Sequence, residues 1–204
     1  MTRVPAARRP YAPRVPLETR REQLLDAALA VIVRDGYAGV SIDAIAKQAG
    51  VTRPVVYGAF DDLGTLLGSL LDRQQLRALT QLAEVFPDEL PDGEPDAFLL
   101  ATVRALIGRV LADPDTWRPI LVAGDGTPAV VRDRIDGDRD RIRAQIADLL
   151  AVGIERRGGP DLDVEVASYA AVAVLESFGR LLLEGRLEAD RMVAFAGDLL
   201  RGLR

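Results

Sequence analysis

Between Ser41 and Phe60 the chain reads SIDAIAKQAGVTRPVVYGAF. Arg53 carries a guanidinium fork whose donors match the two acceptors on a guanine edge. Pro54 and Val55 beside it offer the apolar contact that a thymine methyl takes. Ser41, Thr52 and Tyr57 carry hydroxyls, and Lys47 an ammonium, all groups that hold phosphate oxygens. Gly58 adds a position with no side chain to block an approaching backbone. The chemistry on offer is hydrogen bonding to a charged, base-bearing polymer. Bond-making chemistry is poorly supplied. The chain has no cysteine and no histidine, and Lys47 is its only lysine. Disulfides, zinc fingers, Cys/His catalysis and haem ligation by those residues are excluded. A hydrolase would need carboxylates or a Ser-Lys pair, and no glycine-rich phosphate loop is present. No catalytic residue, metal ligand or cofactor is expected.

Two short helices and a tight turn must position these groups. Ser41 is a good N-cap, because its hydroxyl can accept an otherwise unpaired N–H of the first turn. Ile42, Ile45, Ala46 and Ala49 share one helical face. Gly50 sits where a helix stops, since glycine enters the left-handed region freely. Val51, a lone apolar residue in the turn, should point into the core. Thr52 caps the next helix, and Pro54 falls in its first turn, where a missing N–H does no harm. Val56 and Phe60 face the core, leaving Arg53, Val55, Tyr57 and Gly58 outward. A preceding helix supplies the third wall. Thr19 and Glu22 form a T-x-x-E capping box, Leu25, Ala28, Leu29, Ile32 and Val33 make its stripe, and Gly36 ends it. A helix-turn-helix of this kind places its second helix in the major groove.

These residues carry a resemblance. From Thr19 to about Leu67 the chain resembles the DNA-binding domain of the TetR family of one-component transcriptional regulators. The carrying residues are Gly36-Tyr37, the run Ser41-Ile42-Asp43-Ala44-Ile45-Ala46, Ala49-Gly50-Val51-Thr52, Tyr57 and Phe60. Family members usually carry a basic or aromatic pair before that phenylalanine and a lysine shortly after it. Here Gly58-Ala59 and Leu63 stand there, which removes one phosphate contact and shrinks the base-reading surface. The resemblance implies a long fourth helix that carries a ligand signal between domains. It also implies a pocket in the C-terminal domain, and a homodimer whose last two helices, about 164–203, form a four-helix interface.

Charge supports a division of labour. Residues 1–60 hold nine Lys+Arg against five Asp+Glu; the whole chain has 26 and 31, so the remainder holds 17 against 26. A positive end on an acidic protein suits phosphate binding. The pattern predicts an all-α chain of about nine helices in three parts. Residues 1–18 form a flexible Arg/Pro-rich arm with Arg3, Arg8, Arg9 and Arg14, able to reach phosphates or a minor groove. Residues 19–65 form the helix-turn-helix DNA-binding domain. Residues 66–204 form a larger helical regulatory, ligand-binding and dimerisation domain. There is no apolar signal core and no run of about 18 apolar residues, so neither secretion nor a membrane partner is expected. Binding to a double-stranded operator would place the protein in the cytoplasm, on the nucleoid.

Within the larger part, helices are expected over Leu63–Phe86, Asp96–Ala112, Asp113–Val122, Pro128–Arg157, Val164–Glu184 and Glu188–Leu203. Leu66, Leu67, Leu70, Leu71, Leu79 and Leu82 are the apolar positions of the first. The run RDRIDGDRDRIR reads as a solvated face. YAAVAVLESFGRLLL is apolar nearly all round and must be covered on most sides, with Ala170, Ala171, Ala173 and Gly179 permitting close approach of a second copy. Phe98, Trp117, Leu121, Tyr169 and Phe178 are candidates to line a pocket for a small, largely apolar effector, though the ordinary role of any one of them is plain core. Glu176 either touches the ligand or pairs with Arg180 one turn on. Arg104 either joins the pocket or extends its head into water. The function that results is a ligand-released regulator, a repressor by this reading, on a near-palindromic operator. Rivals are a regulator answering to a protein or to no ligand, an architectural DNA binder, and a small helical enzyme.

Overall fold

The computed structural model describes residues 15–87, 91–122, 127–157 and 162–202. Nine α-helices stand among them and no strand: α1 Leu17–Asp35, α2 Ile42–Gln48, α3 Arg53–Tyr57, α4 Leu63–Ala83, α5 Pro95–Ala112, α6 Pro114–Leu121, α7 Ala129–Arg157, α8 Val164–Leu183 and α9 Ala189–Gly202. A single 3-10 turn, Tyr37–Gly39, follows α1. Most of the arm, and residues 123–126 and 158–161 between the expected helices, lie outside the described residues.

The start of α1 differs from expectation. The helix begins at Leu17 with Pro16 in the cap position, so Thr19 lies inside the first turn and forms no capping box. The Arg20 N–H reaches the Pro16 carbonyl at 3.0 Å, so the cap falls three residues before Thr19. Glu18 then sits in the first turn, where a carboxylate favours the helix dipole. The buried stripe of α1 is also broader than expected, adding Leu24, Ala27 and Val31. The reason is that α1 packs against α2 on one side and against α4 and α6 on another.

Three clusters form the interior. The first joins Leu24, Leu25 and Ile32 of α1, Ile45 of α2, Val56 of α3, Phe60, and Leu66 to Leu71 of α4. Val131 and Ile135 of α7 complete it. The second centres on Ala78, Val103, Ile107, Trp117, Leu182 and Met192. The third joins Phe86, Ile146 and Val172. One long helix, α4, therefore belongs to the first two cores at once. Leu79, expected inside, is exposed at its far end.

α8 packs against α5, α6 and α7, and α9 against α5. That leaves an apolar face outside. Val166 is 62% exposed, Phe195 52% and Leu199 52%, with Tyr169 and Val174 exposed beside them. α8 alone among the described helices is apolar enough and long enough to cross a membrane by composition, with mean hydropathy 1.5. It carries Glu176 and Arg180 and is built into the bundle, so its apolar surface serves packing.

Candidate nucleic-acid interface and regulatory cavity

The recognition unit is built around one closed core and one open edge. The Ser41 hydroxyl oxygen accepts from the Ala44 N–H at 3.1 Å, fixing the start of α2. Gly50 takes φ +65°, the left-handed value that lets the chain reverse in one residue. The Val51 N–H then closes the turn on the Ala46 carbonyl at 2.9 Å. Thr52 holds the cap position of α3, but its hydroxyl makes no capping bond and stays exposed. Inside the first core, Val56 and Phe60 are fully buried. The Arg21 guanidinium lies 4.5 Å above the Phe60 ring and donates to the Ala59 carbonyl.

Every candidate DNA-contacting residue is exposed: Ser41, Lys47, Thr52, Arg53, Pro54, Val55, Tyr57 and Gly58. Arg53 is held in place along the surface. Its Nε lies 3.3 Å from Asp43 Oδ1 on α2. A hydrogen bond with the Tyr57 side chain and the charge of Asp43 push its pKa further up, so it stays cationic. An exposed pair of this kind is weak and easily exchanged for a better acceptor.

A cavity of about 120 Å³ lies between α4, α5, α6, α7 and α8. Trp117, Leu121, Glu176 and Phe178 line it, as their types suggested. Phe98, Arg104 and Tyr169 do not. The wall of α5 is Val103, Leu106, Ile107 and Val110, a row that misses Phe98. Arg104 points to solvent. Tyr169 sits one turn before Val172, beyond the cavity's end, with Arg143 stacked 4.4 Å above its ring.

Glu176 is paired, but not with Arg180, which is exposed. The Arg139 Nε donates to Glu176 Oε1 at 2.7 Å. Glu176 is turned toward α7, and the cation is presented across the gap between the two helices. That bond raises the Arg139 pKa above its ordinary value. Arg139 lines the cavity, although the charged run around it reads as solvated. A signal was present: Val131, Ile135, Ile142 and Ile146 are buried or packed along one face of α7, and Arg139 falls on that row, four after Ile135 and three before Ile142.

α6 ties this cavity to the recognition unit. Trp117 Nε1 donates to Gln81 Oε1 on α4 at 2.8 Å. Gln81 Nε2 in turn donates to Asp113 at 2.8 Å, and Gln74 Nε2 to the Asp115 carbonyl at 2.9 Å. The Tyr37 hydroxyl donates to the Pro119 carbonyl at 3.1 Å, and burial pushes its pKa up to about 12. Ile120 and Leu121 of the same short helix line the cavity. α4 is braced against α1 by Arg73, which pairs with Glu22 and Asp26 at 2.8 Å each. It is braced against α7 by Gln75 and Asp72, which meet Asp138 and Arg134.

Comparison with known proteins agrees with this geometry. A family described as bacterial regulatory proteins, tetR family, matches residues 24–68. A DNA-binding transcriptional repressor, TetR, of Mycobacteroides abscessus is 30% identical over 189 residues, 90% of either chain. The crystal structure of a TetR-like transcriptional regulator from Rhodococcus sp. RHA1 superposes with a TM-score of 0.73 at 26% identity, covering 93% of this chain and 98% of that one. AibR, solved in complex with isovaleryl coenzyme A and operator DNA, shares the fold at 18% identity and a TM-score of 0.68, over 88% and 97% of the two chains. A recognition helix on a closed three-helix core, followed by a helical domain with its own cavity, accounts for these likenesses: the chain belongs to the TetR family of bacterial transcriptional regulators, and it is not an enzyme.

Proposed function

We propose that this regulator binds a near-palindromic operator as a homodimer and leaves it when a small, largely apolar molecule fills the cavity. The observation that carries the first half is the edge of α3. Its one buried residue, Val56, anchors a helix whose other side chains all face out. Arg53 reads a guanine, and Pro54 and Val55 touch a thymine methyl. Ser41, Lys47, Thr52 and Tyr57 hold phosphates, and Gly58 lets the DNA backbone come close. The exposed apolar face of α8 and α9 is where the second copy docks. Two recognition helices held about 34 Å apart then meet two half-sites one turn apart.

Release follows from the bonds of α6. A ligand that pushes on Trp117, Ile120 or Leu121 displaces a helix bonded to α4 and to Tyr37, and so changes the separation of the recognition helices. Swinging the population from 1:99 to 99:1 needs about 5.5 kcal/mol of differential affinity. The site of action is the nucleoid in the cytoplasm. The test is sedimentation of the purified protein with a duplex selected from random sequence. Two chains per duplex support the reading; one chain per duplex removes it.

A further inference from the structure

Between Ser41 and Phe60 the chain has a single acid, Asp43, and it stands against Arg53. Asp43 is the second residue of α2 and Arg53 the first of α3. The two helices are fixed to each other by a common core, through Ile45 and Val56, and by the turn at Gly50. Their first turns therefore hold the carboxylate and the guanidinium side by side, with Asp43 Oδ1 3.3 Å from Arg53 Nε. Tyr57, one turn along α3, engages the same guanidinium by a hydrogen bond. A guanidinium has five N–H donors. One faces Asp43 and one is engaged by Tyr57; three are left, and a guanine edge takes two. Lys47, the other cation of this edge, has no ion-pair partner among the described residues.

An acid on a phosphate-binding edge repels DNA of any sequence and lowers affinity for all of it. Its effect on discrimination is the opposite. To reach a phosphate, Arg53 must leave Asp43, and the carboxylate is then unpaired beside the polymer's own charge. A guanine takes the Nη donors and leaves Nε on Asp43. In water the pair is weak, but a docked duplex excludes water and strengthens it. Holding a long side chain in one arrangement before binding also lowers the cost of ordering it there.

We propose that Asp43 is a specificity-determining residue: it positions Arg53 for guanine and keeps that cation from serving as a general phosphate anchor. This rests on Arg53 being a base reader. The test uses the full-length protein and three duplexes. The first is selected from random sequence by the unchanged protein. The second has A·T in place of G·C, in each half-site, at the guanine that Arg53→Ala relaxes. The third is a scrambled sequence. The unchanged protein should prefer the first over the second by about tenfold or more. In Asp43→Asn that preference should shrink to about threefold or less, because Arg53 is then free to take phosphates. The scrambled duplex should bind this variant about threefold more tightly, with a salt slope steeper by about one. A role limited to the stability of α2 would weaken all three duplexes alike. That result overturns the proposal, as does an unchanged preference or a scrambled duplex that fails to bind more tightly. If Arg53→Ala relaxes no guanine, Arg53 reads no base, and the underlying reading falls with the proposal. If Arg53→Ala relaxes one and Asp43→Asn does not, the proposal alone falls.

Discussion

The helix-turn-helix region and the C-terminal bundle use apolar surface in opposite ways. Around Ile45, Val56 and Phe60 the apolar side chains are almost fully enclosed, and the edge left open carries mainly hydroxyls, Lys47 and Arg53. Around Trp117, Val172 and Phe195 there is more apolar surface than the chain can cover. Some of it walls a cavity and some faces out on α8 and α9. The first arrangement makes a rigid part that meets a polar polymer. The second leaves apolar surface in two places, one inside and one outside, which the proposed effector and the proposed second copy would cover.

The largest effect should come from opening the closed core. Phe60→Ala should cost about 3–5 kcal/mol, read by chemical denaturation, because no nearby group can refill the space. A loss under about 1 kcal/mol would show that this core is not the closed one described. Next, a charge on the open face, Phe195→Asp, should give monomers in sedimentation and weaken operator binding by roughly a hundredfold, through loss of the second half-site. Dimers that persist would move the interface elsewhere. On the polar edge, Arg53→Ala should relax specificity at one base pair per half-site, at a cost of roughly tenfold to a hundredfold in affinity. An unchanged base preference in selected duplexes would take base reading away from Arg53.

The smallest effect joins the two regions. Tyr37→Phe loses the bond to the Pro119 carbonyl, at about 1 kcal/mol near neutral pH. It also leaves a pH signature. Burial holds the Tyr37 phenol protonated up to about 12, while the unfolded chain releases that proton at its ordinary value near 10. Between those values the folded state binds more protons, so stability falls as pH rises through that window, and it does not change with this group below it. The variant should lack this contribution to the alkaline loss. An identical alkaline profile in both proteins would mean that the hydroxyl is not buried against α6.

What was legible in the sequence follows the same contrast. In the recognition unit the signals are local: a cap at Ser41, a turn at Gly50, and core residues at Val56 and Phe60, each decided by neighbours within four positions. α1 shows where local reading stops. Thr19 and Glu22 satisfy the capping pattern, yet nothing between Pro16 and Thr19 opposes a helix, and the chain continues back to Leu17. In the bundle, partners come from other helices. Arg180 is the local partner of Glu176, and Arg139, 37 positions away in sequence, is the real one. Phe98 and Tyr169 have the side chains of a pocket but sit on the wrong row and beyond its end. Arg139 was readable only by setting its charge aside and following the isoleucine row.

The account stands on paired, outward α3 helices reading DNA. Sequencing duplexes that the purified protein selects from a random pool tests this most directly. An inverted repeat with half-site centres about 10 base pairs apart is the predicted result. A pool that stays random, or a single site without two-fold symmetry, would contradict it.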